Sequence, residues 1–183
     1  MHKLPKPHYQ RSDSDPDWLA YAAQFHGHLG PWAAAGLRAG MTARRAVDAD
    51  GYFDVDVTVE GPFVKPPRSC FLDGLQVSTG ATLGKRNLKW VKAEQVIVRI
   101  ENTRSGKTAE VRPTPALLKL LASIQSRPKA TRGKDASERD QHDDHDDHED
   151  HGPQSDFLEA VARKIAAIPD KKILHVTFPT SGE

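Results

Sequence analysis

The chain has 183 residues, 37% of them hydrophobic and 28% charged, with one cysteine and a formal net charge of +1. That length suits one domain with its own core. The near-neutral balance leaves no global basic field for nucleic acid, no apolar run approaches the roughly 18 to 20 residues of a membrane helix, and a single thiol excludes an intrachain disulfide framework.

Residues 1–15 read as a flexible tail, and "MHKLPKPHYQRSDSDPD" lacks the apolar centre of a secretory signal, so a reducing cytoplasm is the expected compartment. A core domain is expected over 16–125. "DPDWLAYAAQF" reads as a short helix, with Asp15 as cap, Pro16 in its first turn and Trp18, Leu19 and Ala22 as its apolar stripe. "GPWAAAGLRAGMTARRAV" reads as a stronger helix opened by Pro31. Gly36 and Gly40 would each cost about 1 kcal/mol there relative to alanine, so their presence predicts a second backbone packed close against them.

"YFDVDVTVEG" alternates, which predicts a half-buried strand with Phe53, Val55, Val57 and Val59 on one face. "SCFLDGLQVSTGATLG" predicts a third helix with Ser69 as cap, Cys70 in the first turn, and Phe71, Leu72, Leu75 and Val77 facing the core. "LKWV", "EQVIVRIENT" and "KTAEVRPT" read as strands, the last two joined by a turn at "NTRSGK". "TPALLKLLASIQS" reads as a fourth helix. Residues 126–155 read as a linker. Residues 156–183 are expected to add a helix, with Asp156 and Glu159 as a capping box, and a short strand, both packed on the core. The order predicts an α+β domain of two layers: helix, strand, helix and three strands around a mixed or antiparallel sheet.

Charge is unevenly distributed. "DASERDQHDDHDDHEDH", residues 135–151, holds nine acids and one arginine, so the remainder is clearly basic. His142, His145, His148 and His151 recur every third residue within it. A step of three advances 300° around a helix, so the four imidazoles cannot share one helical face. Imidazole and carboxylate at this density suit several weakly held divalent ions, zinc, nickel or copper, against the plainer account of a solvated acidic linker.

A second metal candidate lies in "FHGHLGPW". His26 and His28 stand just before a helix start, and Cys70 is expected at the start of another, where partial positive charge favours thiolate. Imidazole and thiolate together suit zinc. Asp73, one turn after Cys70, could ligate or could orient a histidine. The plainer account is a buried thiol and a histidine loop. "GATLGKR" is not a phosphate loop, because its glycines are one residue too close and Arg86 replaces the required Ser or Thr.

"FHGHLGPWAAAGLRAG" followed by "SCFLDGLQVSTGATLGKRNL" resembles the FmdE family of formylmethanofuran dehydrogenase proteins. That family reads His-Gly-His-x-Cys-Pro-Gly, then Cys-x-x-Asp followed by Thr-Gly-Cys-Thr-x-Gly-Lys-Gly-Asn. The resemblance runs from about Trp18 to Pro113 and resumes at "FLEAVARKIAAIPDKKILHV". It implies a two-layer α+β domain, often dimeric, that binds metal through its His and Cys positions. It also implies an association with an enzyme complex that interconverts carbon dioxide and formylmethanofuran. Two family cysteines are replaced here, by Gly30 and Ala81, and a family glycine by Arg86.

The expectation is a cytoplasmic, homodimeric accessory protein with no robust catalysis of its own. It would bind a divalent metal, zinc by its donor set, at His26, His28, Cys70 and Asp73. Its role would be metal handling or support of a partner metalloenzyme, of molybdenum or one-carbon type, without nucleic acid or membrane. The alternative is an enzyme, dependent on that metal or on Cys70 itself, that acts on a small anionic substrate between two helix N-termini.

Overall fold

A computed structural model of the protein describes residues 4–125 and 153–179. The acidic-histidine block, with His142, His145, His148 and His151, lies outside the described residues. The elements in order are α1 (Asp17–His26), α2 (Pro31–Ala46), β1 (Val55–Gly61), α3 (Cys70–Thr79), β2 (Leu88–Lys92), β3 (Ile97–Asn102) and β4 (Thr108–Pro113). They continue with α4 (Pro115–Gln125), α5 (Pro153–Ala167), the single-turn α6 (Asp170–Ile173) and β5 (Leu174–Thr177).

The strands form one mixed sheet in the order β2-β1-β3-β4-β5, in which β1 and β2 run parallel and the other pairs antiparallel. Alternation along β1 puts Val55, Val57 and Val59 inward. The register aligns Val57 with Leu88 and Ile100, and Val59 with Val98, while Val98 faces Val111. Each such side chain, fully buried, contributes about 1.5–3 kcal/mol. The other face is polar. Arg99 donates to Glu110 at 2.7 Å and also pairs with Glu60 across β1.

Helix α2 is the centre of the second layer and is buried around most of its circumference. It packs on β3 and β4, and against α3 and α5. The glycines explain its fit to α3. A methyl on Gly36 would overlap the Phe71 carbonyl, one on Gly74 the Ala33 carbonyl, and one on Gly40 the Ser78 hydroxyl. Gly36 meets the start of α3 and Gly40 its end, so the two helices run in the same direction with their N-termini side by side.

Several local details depart from the sequence expectations. Phe53 lies outside β1 and is 82% exposed. The Asp54 carboxylate accepts from the backbone N–H of Asp50 (2.9 Å) and Gly51 (2.7 Å), and that turn occupies the residues that would have extended the strand. Asp15 does not cap α1. Its carboxylate accepts from Tyr9 Oη (2.7 Å), from Ser12 N (2.9 Å) and from Arg163 Nε on α5 (2.9 Å). Ser69 makes no side-chain cap. α5 begins at Pro153, three residues earlier than expected, and Glu159 pairs with Arg163 at 3.0 Å instead of closing a capping box. Arg38, buried on α2, donates to the carbonyls of Ile165 (3.2 Å) and Ile168 (2.7 Å) and to Asp170. It thereby satisfies acceptors that the C-terminus of α5 leaves free. Among the described residues, no helix is long and apolar enough to cross a membrane.

Candidate functional site

The site begins at the end of α1. Gly27 takes the left-handed conformation (φ 92°) that closes this helix and turns the chain. Residues 28–30 then lead to Gly30 (φ −104°, ψ 145°), and Pro31 opens α2. The turn brings the rings of His26 and His28 together, tilted by 42° with centroids 4.5 Å apart. His8 is bridged in parallel to His28, and its backbone N–H donates to the Gly27 carbonyl at 2.6 Å.

The packing of α1 and α2 against α3 delivers the remaining residues. Cys70 is the first residue of α3 and is partly buried. Asp73, one turn on, holds His26: its Oδ2 lies 2.7 Å from His26 Nδ1. The hydrogen bond to Asp73, then the nearby Cys70 side chain, outweigh burial and push the His26 imidazole up to about 9. His26 is therefore protonated at neutral pH, and its Nε2 becomes a ligand only by losing that proton. His28 is exposed on one side. The packing on its other side, then the charges of His26 and His8, pull it below its ordinary value, so it stands neutral.

Two buried side-chain polar atoms among the described residues have no hydrogen-bond partner, and both belong to this corner: His26 Nε2 and Trp32 Nε1. An unsatisfied buried donor or acceptor costs about 1–3 kcal/mol. Beside them lies a cavity of about 730 Å³ between the starts of α2 and α3. His28, Gly30, Trp32, Lys65, Arg68 and Cys70 line it, with an apolar flank from Val64, Ile124 and Leu158.

The donor chemistry partly suits a metal. Two imidazoles and a thiol are zinc donors, and a carboxylate on Nδ1 is the usual support of a ligating histidine. Asp73 is thereby assigned the orienting position, its oxygen spent on His26. As arranged, however, no three His, Cys, Asp or Glu side chains among the described residues form a set that could hold a metal. Gly30 marks what is missing. A Cβ there would lie 3.0 Å from His28 Nε2 and 3.9 Å from His26 Nε2, so a side chain at this position would enter between the two imidazoles. Ala81 is different. It lies beyond the far end of α3, about 15 Å along that helix from Cys70. Of the two cysteine replacements, only the one at Gly30 touches this site.

The sequence model of a family described as "FmdE, Molybdenum formylmethanofuran dehydrogenase operon" matches residues 25–175, most of the chain and every residue of this corner from His26 to Asp73. The chain belongs to the FmdE family. A protein of Archaeoglobus fulgidus named "Probable S-adenosyl-L-methionine-binding protein" is 28% identical to this FmdE chain over 93 residues. The shared stretch covers 51% of the FmdE chain and 25% of that relative.

Sequence reasoning missed Trp32 and His8. Trp32 looks like an ordinary core residue of α2, and nothing in "KPHYQ" announces a bridge to a histidine loop twenty residues on.

Proposed function

We propose that this FmdE-family protein is a metal-binding accessory protein, with zinc the metal best suited to its donors. Its role would be metal handling or the support of a partner molybdenum or one-carbon enzyme, and its working form a homodimer. The observation that carries the reading is His26. A buried imidazole, fixed by a carboxylate on Nδ1, presents an unpartnered Nε2 beside a second imidazole and a thiol.

His26, His28 and Cys70 would hold the ion, and Asp73 would keep the His26 ring turned toward it. A bound zinc would supply Lewis acidity at the mouth of the cavity. Asp73 also sets the competition with protons, because the pair that orients His26 keeps it protonated. Loading must therefore release a proton and strengthen as pH rises. With one thiolate instead of two, affinity is expected to be modest.

The test is metal analysis of untagged protein. The full chain should carry several divalent ions, most of them through the acidic-histidine block. A chain lacking residues 135–152 should keep about one zinc, and His26→Ala in that background should lose it. A shortened chain that binds no zinc while folding normally would refute the core site.

A further inference from the structure

We propose that His8 is a further ligand of the metal site: the N-terminal segment delivers a third imidazole to the ion held by His26, His28 and Cys70, supplying the donor that Gly30 cannot. The inference rests on the metal reading and adds a residue to it.

His8 precedes the residues that the family model matches, 25–175, so this ligand would be the chain's own addition. The backbone sets its place. The segment around it is bridged in parallel to the histidine turn, with His8 opposite His28, and the His8 N–H donates to the Gly27 carbonyl at 2.6 Å. Residues paired in a β-bridge direct their side chains to the same side. His8 therefore stands next to His28, whose ring centroid is 4.5 Å from that of His26. Burial first, then the charges of His26 and His8, hold His28 below its ordinary value, consistent with a neighbouring ring on each side.

The second observation is the contrast between the backbone and the side chain of His8. The chain is pinned just after it. Tyr9 Oη donates to Asp15 at 2.7 Å, and Arg163 on α5 donates to the Gln10 carbonyl at 2.8 Å, with its guanidinium 5.9 Å from the Tyr9 ring. The His8 imidazole itself is exposed and makes no hydrogen bond or ion pair with a described residue. Its neighbours already hold the segment, so the ring is not needed for that. It is fixed at its backbone and free at its tip, close to an imidazole whose side chain is only 10% exposed and whose Nε2 has no partner.

As arranged, no three donors among the described residues form a set for an ion, and the exposed rings are the ones that can close it. Exposed side chains change rotamer within picoseconds to nanoseconds, so His8 and His28 can turn without moving the backbone, while Asp73 keeps His26 in place. His8, His26, His28 and Cys70 would then offer zinc the four nitrogen and sulfur donors of a tetrahedral site. His8, exposed and carried on a separate segment, is the donor best able to leave, which suits a protein that passes its ion on.

The experiment titrates the full-length protein with cobalt(II) under a thiol-free reductant. Cys70 is the one thiol of the chain, so the near-ultraviolet thiolate-to-cobalt absorption band reports this site and is blind to the acidic-histidine block. The parent should show the band, and His26→Ala should lose it. His8→Ala should raise the half-saturating cobalt concentration at least about tenfold, since loss of a residue that merely orients a ligand already has an effect of that size. His8→Cys should restore the affinity and strengthen the band, because a second thiolate reaches the ion, a gain that a purely structural role for residue 8 would not produce. Unchanged affinity in His8→Ala, or a band in His8→Cys no stronger than the parent's, would overturn the proposal and leave the metal reading standing. No band in the parent would refute both.

Discussion

The seam between α2 and α3 and the mouth where the end of α1 meets their N-termini are neighbours of opposite character. Along the seam, backbone touches backbone at Gly36 and Gly74. Its hydroxyls are also satisfied within α3, with Ser78 Oγ donating to the Gly74 carbonyl at 2.8 Å and Thr79 Oγ1 to the Leu75 carbonyl at 2.6 Å. At the mouth, two buried polar atoms are left over. The contrast shows that the unsatisfied groups are not a by-product of loose packing. The seam is tight enough to hold His26, Trp32 and Cys70 in place, and what it holds in place is incomplete.

The largest test attacks the seam. Gly74→Ala would drive a methyl into the backbone of α2 at Ala33 and Leu37. It should destabilise by about 3 kcal/mol or more, lowering the melting temperature by upwards of about 6 °C. A variant that melts like the parent would show that the seam does not position the mouth.

The next attempts to complete the mouth. Gly30 has an ordinary extended backbone, so Gly30→Cys carries none of the cost of a left-handed residue, and only the tip of the His28 ring need give way. In a chain lacking residues 135–152, the variant should bind zinc at least roughly tenfold more tightly, by competition with a zinc dye, because a second thiolate joins the set. Cys70→Ser should abolish the gain. Normal folding with unchanged affinity would mean that the corner is not a metal site.

A smaller effect concerns the one strong pair at the mouth. His26 titrates above the ordinary imidazole value of 6.5, at about 9, so its pairing with Asp73 stabilises the fold fully below 6.5 and progressively less as pH rises toward 9. In EDTA, the difference in melting temperature between the parent and Asp73→Asn should be widest near pH 6 and should close by about pH 9 to 10. A gap that stays the same from pH 6 to 10 would show that His26 is neutral in the folded protein.

The smallest effect should come from removing residues 135–152. The block interrupts no apolar periodicity in the sequence, and in EDTA its loss should move the melting temperature by no more than about 2 °C, as for changes away from a core. Loss of cooperative unfolding would show that the block belongs to the core.

The elements were legible because each rests on local physics. Alternation marked Val55, Val57 and Val59, proline marked the start of α2, and the cost of Gly36 and Gly40 announced a close neighbour before that neighbour was known. The caps were misread for an equally physical reason. Asp15 and Glu159 have a choice of partners: Asp15 takes Tyr9, the Ser12 N–H and the distant Arg163 instead of the first turn of α1, and Glu159 takes Arg163 one helical turn on. The extent of β1 was misread because a carboxylate at Asp54 closes a turn that alternation alone does not reveal.

The candidate site divides along the same line. Short-range pattern was enough to place His26 and His28 in one turn and Cys70 at the opening of a helix, because spacing and helix-start chemistry act over a few residues, whereas Gly30 stood out only through the resemblance to a family that has a cysteine there. Packing in three dimensions was needed to make Asp73 spend its carboxylate on a histidine 47 positions away, to put Ala81 at the wrong end of α3 to matter here, and to leave the Trp32 N–H without a partner. Whether a polar atom is satisfied depends on every group that packing brings within about 3 Å of it. That is a property of the assembled layers, and no stretch of the chain carries it alone.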